Sequence, residues 1–277
     1  MSIHWDVIIV GAGPAGSTLG RALSERGLRV LILDKEIFPR YKACGGGLNV
    51  RAANMLDVDL SSVVEDTIYS ARIAFRMGNP STNWSDRPLT YMVSRESFDH
   101  LLLQHAIASG CAVREGEKVR GVRVRESDVA VRSDGGTYFG KVVVGADGAH
   151  GVVASSVGLM EDAFVAIAIE SEIEVSASDL EDWRNVVLLD LGSIRGGLRL
   201  GFPQGTSPLH WGGRPVDAGE RTEGLLPSVH RRMAVGYEAV PRPQETGASA
   251  SRPEEGRRHS APSGPAGGGR CRAGRPV

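Results

Sequence analysis

No stretch of this chain stays apolar long enough to cross a bilayer as a helix. Nor is there an excess of charge. Over 277 residues the formal net charge is −1, which removes the electrostatic case for a nucleic-acid partner. Cysteine is scarce: Cys44, Cys111 and Cys271 lack the spacing of a disulfide framework or a metal site, which fits a reducing cytoplasm. A strand-like run begins within a few residues of Met1, so no signal peptide is expected and the expected location is cytoplasmic. Lysine occurs only at Lys35, Lys42, Lys118 and Lys141. From Arg242 onward Leu, Ile, Met, Phe, Tyr and Trp are all missing. Such a composition cannot bury enough surface to offset chain entropy, so an irregular, disordered tail is expected over 205–277.

Near the start stands the most informative stretch. Val7 to Val10 reads as a buried strand, Gly11-Ala12-Gly13-Pro14-Ala15-Gly16 as a glycine turn, and Leu19, Ala22, Leu23 and Arg26 continue a helical pattern. The glycines differ in what each one permits. Gly11 allows the tight turn, Gly13 the close approach of a pyrophosphate to the backbone, and Gly16 the packing of helix on strand. The free N–H groups and dipole of the helix start face the anion, and Pro14 suits the first helical position. Leu28 to Asp34 is a second strand, and Asp34 closes it where a carboxylate accepts from ribose hydroxyls. These features mark a dinucleotide site without separating NAD from FAD.

After that strand, Lys35 opens a segment that runs through Phe38-Pro39-Arg40-Tyr41-Lys42-Ala43-Cys44 into Gly45, Gly46 and Gly47. Glycines in a run let backbone pass close to a flat ligand. On the residues alone, Cys44 reads equally as a small buried side chain. With the preceding fingerprint, this stretch resembles the geranylgeranyl reductase family of flavoproteins. The resemblance implies FAD as cofactor and reduction of isoprenoid double bonds, with NADPH as a candidate electron donor. It also implies that the Cys44–Gly47 loop lies beside the flavin ring, with Cys44 and Tyr41 as candidate catalytic neighbours of the alkene. A prenyl-chain lipid or prenyl diphosphate substrate follows, as does peripheral contact with a membrane.

Two further elements resemble the broader aromatic-hydroxylase-like FAD fold. Arg95-Glu96-Ser97-Phe98-Asp99 opens a helix over 95–108, with Ser94 placed to cap it. In that fold the arginine approaches the polar linker of the flavin, although a salt bridge at the helix start accounts for Arg95 equally well. Lys141 to His150 reads as a buried strand ending in Gly145-Ala146-Asp147-Gly148-Ala149. It is similar to the second FAD motif, with Asp147 and Gly148 at the ligand edge; an Asp cap on an ordinary strand-to-helix turn is the plainer alternative. Between these elements, 119–124 and 129–132 alternate as a small antiparallel meander that turns at Asp134-Gly135-Gly136.

The expected fold is therefore α/β. A Rossmann-like parallel sheet with a β-meander forms an FAD-binding domain over 1–160. The start of an antiparallel substrate-binding sheet follows over 161–204, with strands at 164–175 and 186–191. The reductases' aromatic-rich segment is represented by Gly196 to Pro203, where only Phe202-Pro203 keeps the pattern. Their third motif, a Gly-Asp-Ala loop near the ribityl half of FAD, is not found. From this we expect weak FAD retention and poor turnover, and a frameshift or truncation behind the last third. A flavin monooxygenase or halogenase on the same fold, and a non-catalytic FAD-binding fragment, are the alternatives.

Overall fold

A computed structural model describes residues 4–159, 168–175, 181–194, 197–204 and 231–239. The chain divides into two units, Met1–Arg242 and Pro243–Val277, and the second lies outside the described residues.

The first part of the chain runs β1 (His4–Val10), α1 (Pro14–Ser24), β2 (Val30–Leu33), β3 (Gly47–Asn49), α2 (Val50–Ala53), β4 (Val64–Ile68), β5 (Ser70–Phe75), β6 (Ser81–Trp84), β7 (Thr90–Val93) and α3 (Arg95–Ala108). The rest comprises β8 (Ala112–Arg114), β9 (Val119–Val124), β10 (Val129–Ser133), β11 (Gly136–Gly145), α4 (Val152–Ser156), β12 (Ala168–Val175), β13 (Val186–Leu191), β14 (Gly197–Gln204) and β15 (Arg231–Ala239). The expected mixed α/β fold is what is found.

The first sheet has the order β8-β2-β1-β11-β10-β9. Its β8, β2, β1 and β11 are mutually parallel, and β11, β10 and β9 form the antiparallel meander. Both faces of β1 are covered, which explains its unbroken apolar run. Val7 and Ile9 pack with Val30, Ile32, Leu103 and Ala106, where α1 and α3 lie. Ile8 and Val10 pack with Leu31, Leu33, Val131 and Val153 on the other face. The meander's last strand and the following parallel strand, read separately in the sequence, are one strand. The ten-residue β11 pairs antiparallel with β10 over Gly136–Gly140 and parallel with β1 over Phe139–Gly145. That strand is less buried than its composition suggests, Val142 being exposed.

The second sheet, β12-β15-β14-β13-β5-β6, is antiparallel except for β13 against β5. It draws β5 and β6 from before residue 90. The region expected to be irregular from 205 meets one strand within it: Met233, Val235 and Tyr237 alternate, and β15 pairs with both β12 and β14. The remainder of 205–277 lies outside the described residues, as do 164–167 of the strand expected over 164–175. A three-stranded sheet, β3-β7-β4, completes the described fold. Strands β4 and β5 are separated only by Tyr69 and belong to different sheets. Helix α3 serves two layers, Leu103 and Ala106 packing toward the first sheet and Phe98 and Leu102 toward Val63 and Val93. Ser94 occupies the N-cap position of α3 without a side-chain capping bond, contrary to expectation.

Candidate functional site

The carboxyl ends of β1, β2 and β11 meet at one turn. Gly11 N donates to the Leu33 carbonyl at 2.8 Å, and Ala146 N donates to the Val10 carbonyl at 2.7 Å, so the three strand ends stay laddered beyond the strands. Gly11 has φ 103°, and a Cβ there would lie 2.2 Å from the Ala146 oxygen. A Cβ on Gly16 would lie 1.8 Å from the Gly11 oxygen. Both positions admit only glycine in this backbone. Gly13 is different: its φ is −67°, and a Cβ there would meet nothing within 4 Å. The space in front of Gly13 is the cavity.

That cavity has a volume of about 370 Å3. Gly11, Gly13, Pro14 and Ala15 line one side, at the N-terminus of the eleven-residue α1, whose first turn holds no acidic side chain. Asp34 and Lys35 line it from the end of β2, Asp147 and Gly148 from the end of β11, and Tyr41 and Arg95 complete the expected set. Gly16 stands behind the turn. Cys44 and Gly45 to Gly47 are not part of the cavity wall. Cys44 instead acts on the Arg95 guanidinium, favouring its charged form, and Gly45 and Gly47 run beneath the ring of Phe202. A Cβ on Gly45 would come within 2.6 Å of that ring, which fixes why this loop is glycine.

The carboxylates also organise backbone. Asp34 is buried, its Oδ2 accepting from Ala12 N at 2.6 Å and its Oδ1 from Glu36 N at 2.9 Å, so it clamps the glycine turn to the end of β2. A carboxylate has about four acceptor directions, which leaves capacity toward the cavity. Asp147 Oδ2 accepts from Val152 N at 2.6 Å and Val153 N at 3.2 Å, capping α4. Cap and cavity wall are thus combined in one residue. Arg95 makes the salt bridge expected at the helix start, pairing with Asp99 through Nε at 2.7 Å and Nη2 at 2.8 Å, and it also lines the cavity. Hydrogen bonds to Asp99 raise its affinity for a proton above the ordinary guanidinium value. Burial opposes this, and Cys44 adds to it.

Several residues of the wall were not singled out from sequence. Arg40, Lys42, Glu36, Glu117 and Lys118 all line the cavity. One signal was available, since three of the chain's four lysines, Lys35, Lys42 and Lys118, gather here. Glu117 is held by Ser133 Oγ at 2.5 Å, Gly135 N at 2.9 Å and Tyr138 Oη at 3.1 Å, all donating to its Oε1. Burial, followed by the Glu117 hydrogen bond, pushes the Tyr138 hydroxyl up from its ordinary pKa. Cys111 is buried immediately before β8, and burial pushes its thiol up as well. Among the described residues no helix is long and apolar enough to cross a membrane.

Residues 4–190 match the family described as FAD binding domain. The chain is 32% identical over 165 residues to a geranylgeranyl diphosphate reductase of Rhodobacter capsulatus, covering 56% of this chain and 40% of that protein. A geranylgeranyl bacteriochlorophyll reductase-like protein of Thermoplasma acidophilum has the same fold, with TM-score 0.66 and 22% identity over 85% of this chain and 57% of that one. The fold is also that of the halogenase PltM, solved with phloroglucinol and FAD, at TM-score 0.62 and 17% identity over 85% of this chain and 51% of that one. This chain spans about half the length, or less, of the curated relatives it matches.

Proposed function

This chain belongs to the FAD binding domain family, and from that premise we propose that its cavity holds FAD and that it reduces the double bonds of a geranylgeranyl-type chain. The observation that carries the cofactor reading is the contrast among the three glycines: Gly11 and Gly16 are walled in by backbone, whereas Gly13 faces open space at a helix N-terminus. That is a cradle for a pyrophosphate, which needs bare backbone and free N–H groups. Asp34 then takes the ribose hydroxyls, Arg95 the polar linker, and Asp147 and Gly148 the facing edge. Arg40, held by Asp99, adds a second guanidinium residue to the same wall.

The reductase reading draws on the second sheet. Leu200, Leu189 and Ile73 form one cross-strand row, and Leu198, Leu191 and Phe75 the next. Phe202, two residues along from Leu200, lies on this face above the Gly45–Gly47 loop and packs with Ile68, Met92 and Val187. An apolar chain laid along these rows would run from the glycine loop toward Phe75. FAD, once bound and reduced, would supply the hydride for one alkene carbon. The chain's part is to align the alkene and deliver a proton to the other carbon, with Cys44 Sγ and Tyr41 Oη as the proposed neighbours. NADPH is the proposed donor of reducing equivalents, and a prenyl diphosphate or prenyl lipid the proposed substrate, met at a membrane surface if lipid-borne.

The test is anaerobic incubation of the FAD-loaded protein with geranylgeranyl diphosphate and either dithionite or NADPH, read by mass spectrometry. Gain of two hydrogens per reduced bond is expected. An untouched prenyl chain together with oxygen-dependent modification of an aromatic substrate would overturn the reading in favour of a monooxygenase or halogenase.

A further inference from the structure

We infer that Asp99 is a positioning residue that holds two arginines, Arg40 and Arg95, as a clasp for the phosphates of the dinucleotide; this rests on the FAD reading above. Asp99 lies in the first turns of α3 with no exposure. Both of its oxygens are engaged by guanidinium groups: Oδ1 accepts from Arg95 Nε at 2.7 Å, and Oδ2 accepts from Arg95 Nη2 and from Arg40 Nη2, each at 2.8 Å. Arg95 is its helical neighbour. Arg40 comes from the segment between β2 and β3, so one carboxylate ties that segment to α3.

The cavity wall contains both arginines and not the carboxylate. One negative charge between two positive ones leaves this three-residue cluster net positive, and its arginines line the same cavity as the acid-free N-terminus of α1. Arg40 is further restrained by the Phe38 ring, whose centroid lies 4.7 Å from its guanidinium carbon. Its Nη1 is buried without a hydrogen-bond partner. Both arginines line the cavity with their guanidinium planes fixed by one carboxylate, and the planar geometry of such groups matches phosphate oxygens. Without Asp99, two like charges would share one wall with no common anchor, and much of the benefit of prior ordering would be lost.

Charge and positioning predict opposite signs for one substitution. By charge alone, Asp99→Asn makes the wall more positive and should tighten FAD. The positioning role predicts that it weakens FAD by roughly tenfold or more, the scale of misplaced hydrogen bonds to charged groups. FAD and riboflavin, which lacks the phosphates, are titrated against the wild-type chain and against Asp99→Asn, Arg40→Gln and the double variant, with melting curves alongside. Expected are losses for FAD and not riboflavin in each single variant, and a double variant little worse than either. If Asp99→Asn does not fold, the phosphate-selective loss in Arg40→Gln decides. Equal losses for both ligands, unchanged FAD binding, or tighter FAD binding overturn the inference. A wild-type chain that binds no FAD refutes the cofactor reading itself.

Discussion

The two six-stranded sheets are built from similar strands and buried very differently. In the first, Ile8, Ile9, Leu31 and Ile32 are at most 1% exposed, because helices cover one face and the meander with α4 the other. In the second, Asp190 is fully buried on one face, while on the other Ile73, Phe75 and Leu191 are 41%, 62% and 44% exposed. The first sheet holds backbone in register for a ligand at its carboxyl edge. The second offers an apolar surface. On the proposed reading, recognition of a charged cofactor belongs to the first region and contact with an apolar chain to the second.

Substitutions can break that contrast, the largest effect first. Gly16→Ala puts a methyl group against a backbone carbonyl that has no room to give. Its cost should reach or exceed the ~1–3 kcal/mol usual for overpacking, whereas Gly13→Ala should melt almost like the wild type. Ile9→Ala, in the first sheet, should cost about 2–5 kcal/mol in denaturant unfolding. Phe75→Ser, in the second, should stay within about 0.5 kcal/mol. A large loss at Phe75 would show that its face is a structural core rather than a free surface.

A smaller effect concerns acid. Hydrogen bonds from Ser193 and then from the Met77 backbone hold the Asp190 carboxyl below its ordinary range. The ionised form is therefore the stabilising one. Its contribution is present above the ordinary carboxylate pKa of about 4 and is lost as pH falls through the lowered value. Melting temperatures should decline below that pH in the wild type and less steeply in Asp190→Asn. Parallel declines would remove Asp190 from the account.

Much of the first sheet was legible in the sequence, because strand, turn and helix are local and each glycine has a local reason. Asp34 and Asp147 were legible as strand-end acids; their backbone clamps were not, since those depend on loops folding back. Arg40 and Glu117 escaped for the same reason. Arg40 acquires its place from Asp99 and Glu117 from Ser133, Gly135 and Tyr138, partners that only the tertiary fold brings together. Strand β15 escaped because its alternation is brief and sits in a glycine- and proline-rich surround.

The central claim is that the space before Gly13 is a pyrophosphate cradle, and flavin titration of wild type and Gly13→Val, with melting curves on both, tests it most directly. The account predicts that the wild type binds FAD and that the variant melts at nearly the same temperature and no longer retains it. A variant that folds and keeps FAD with undiminished affinity would contradict it.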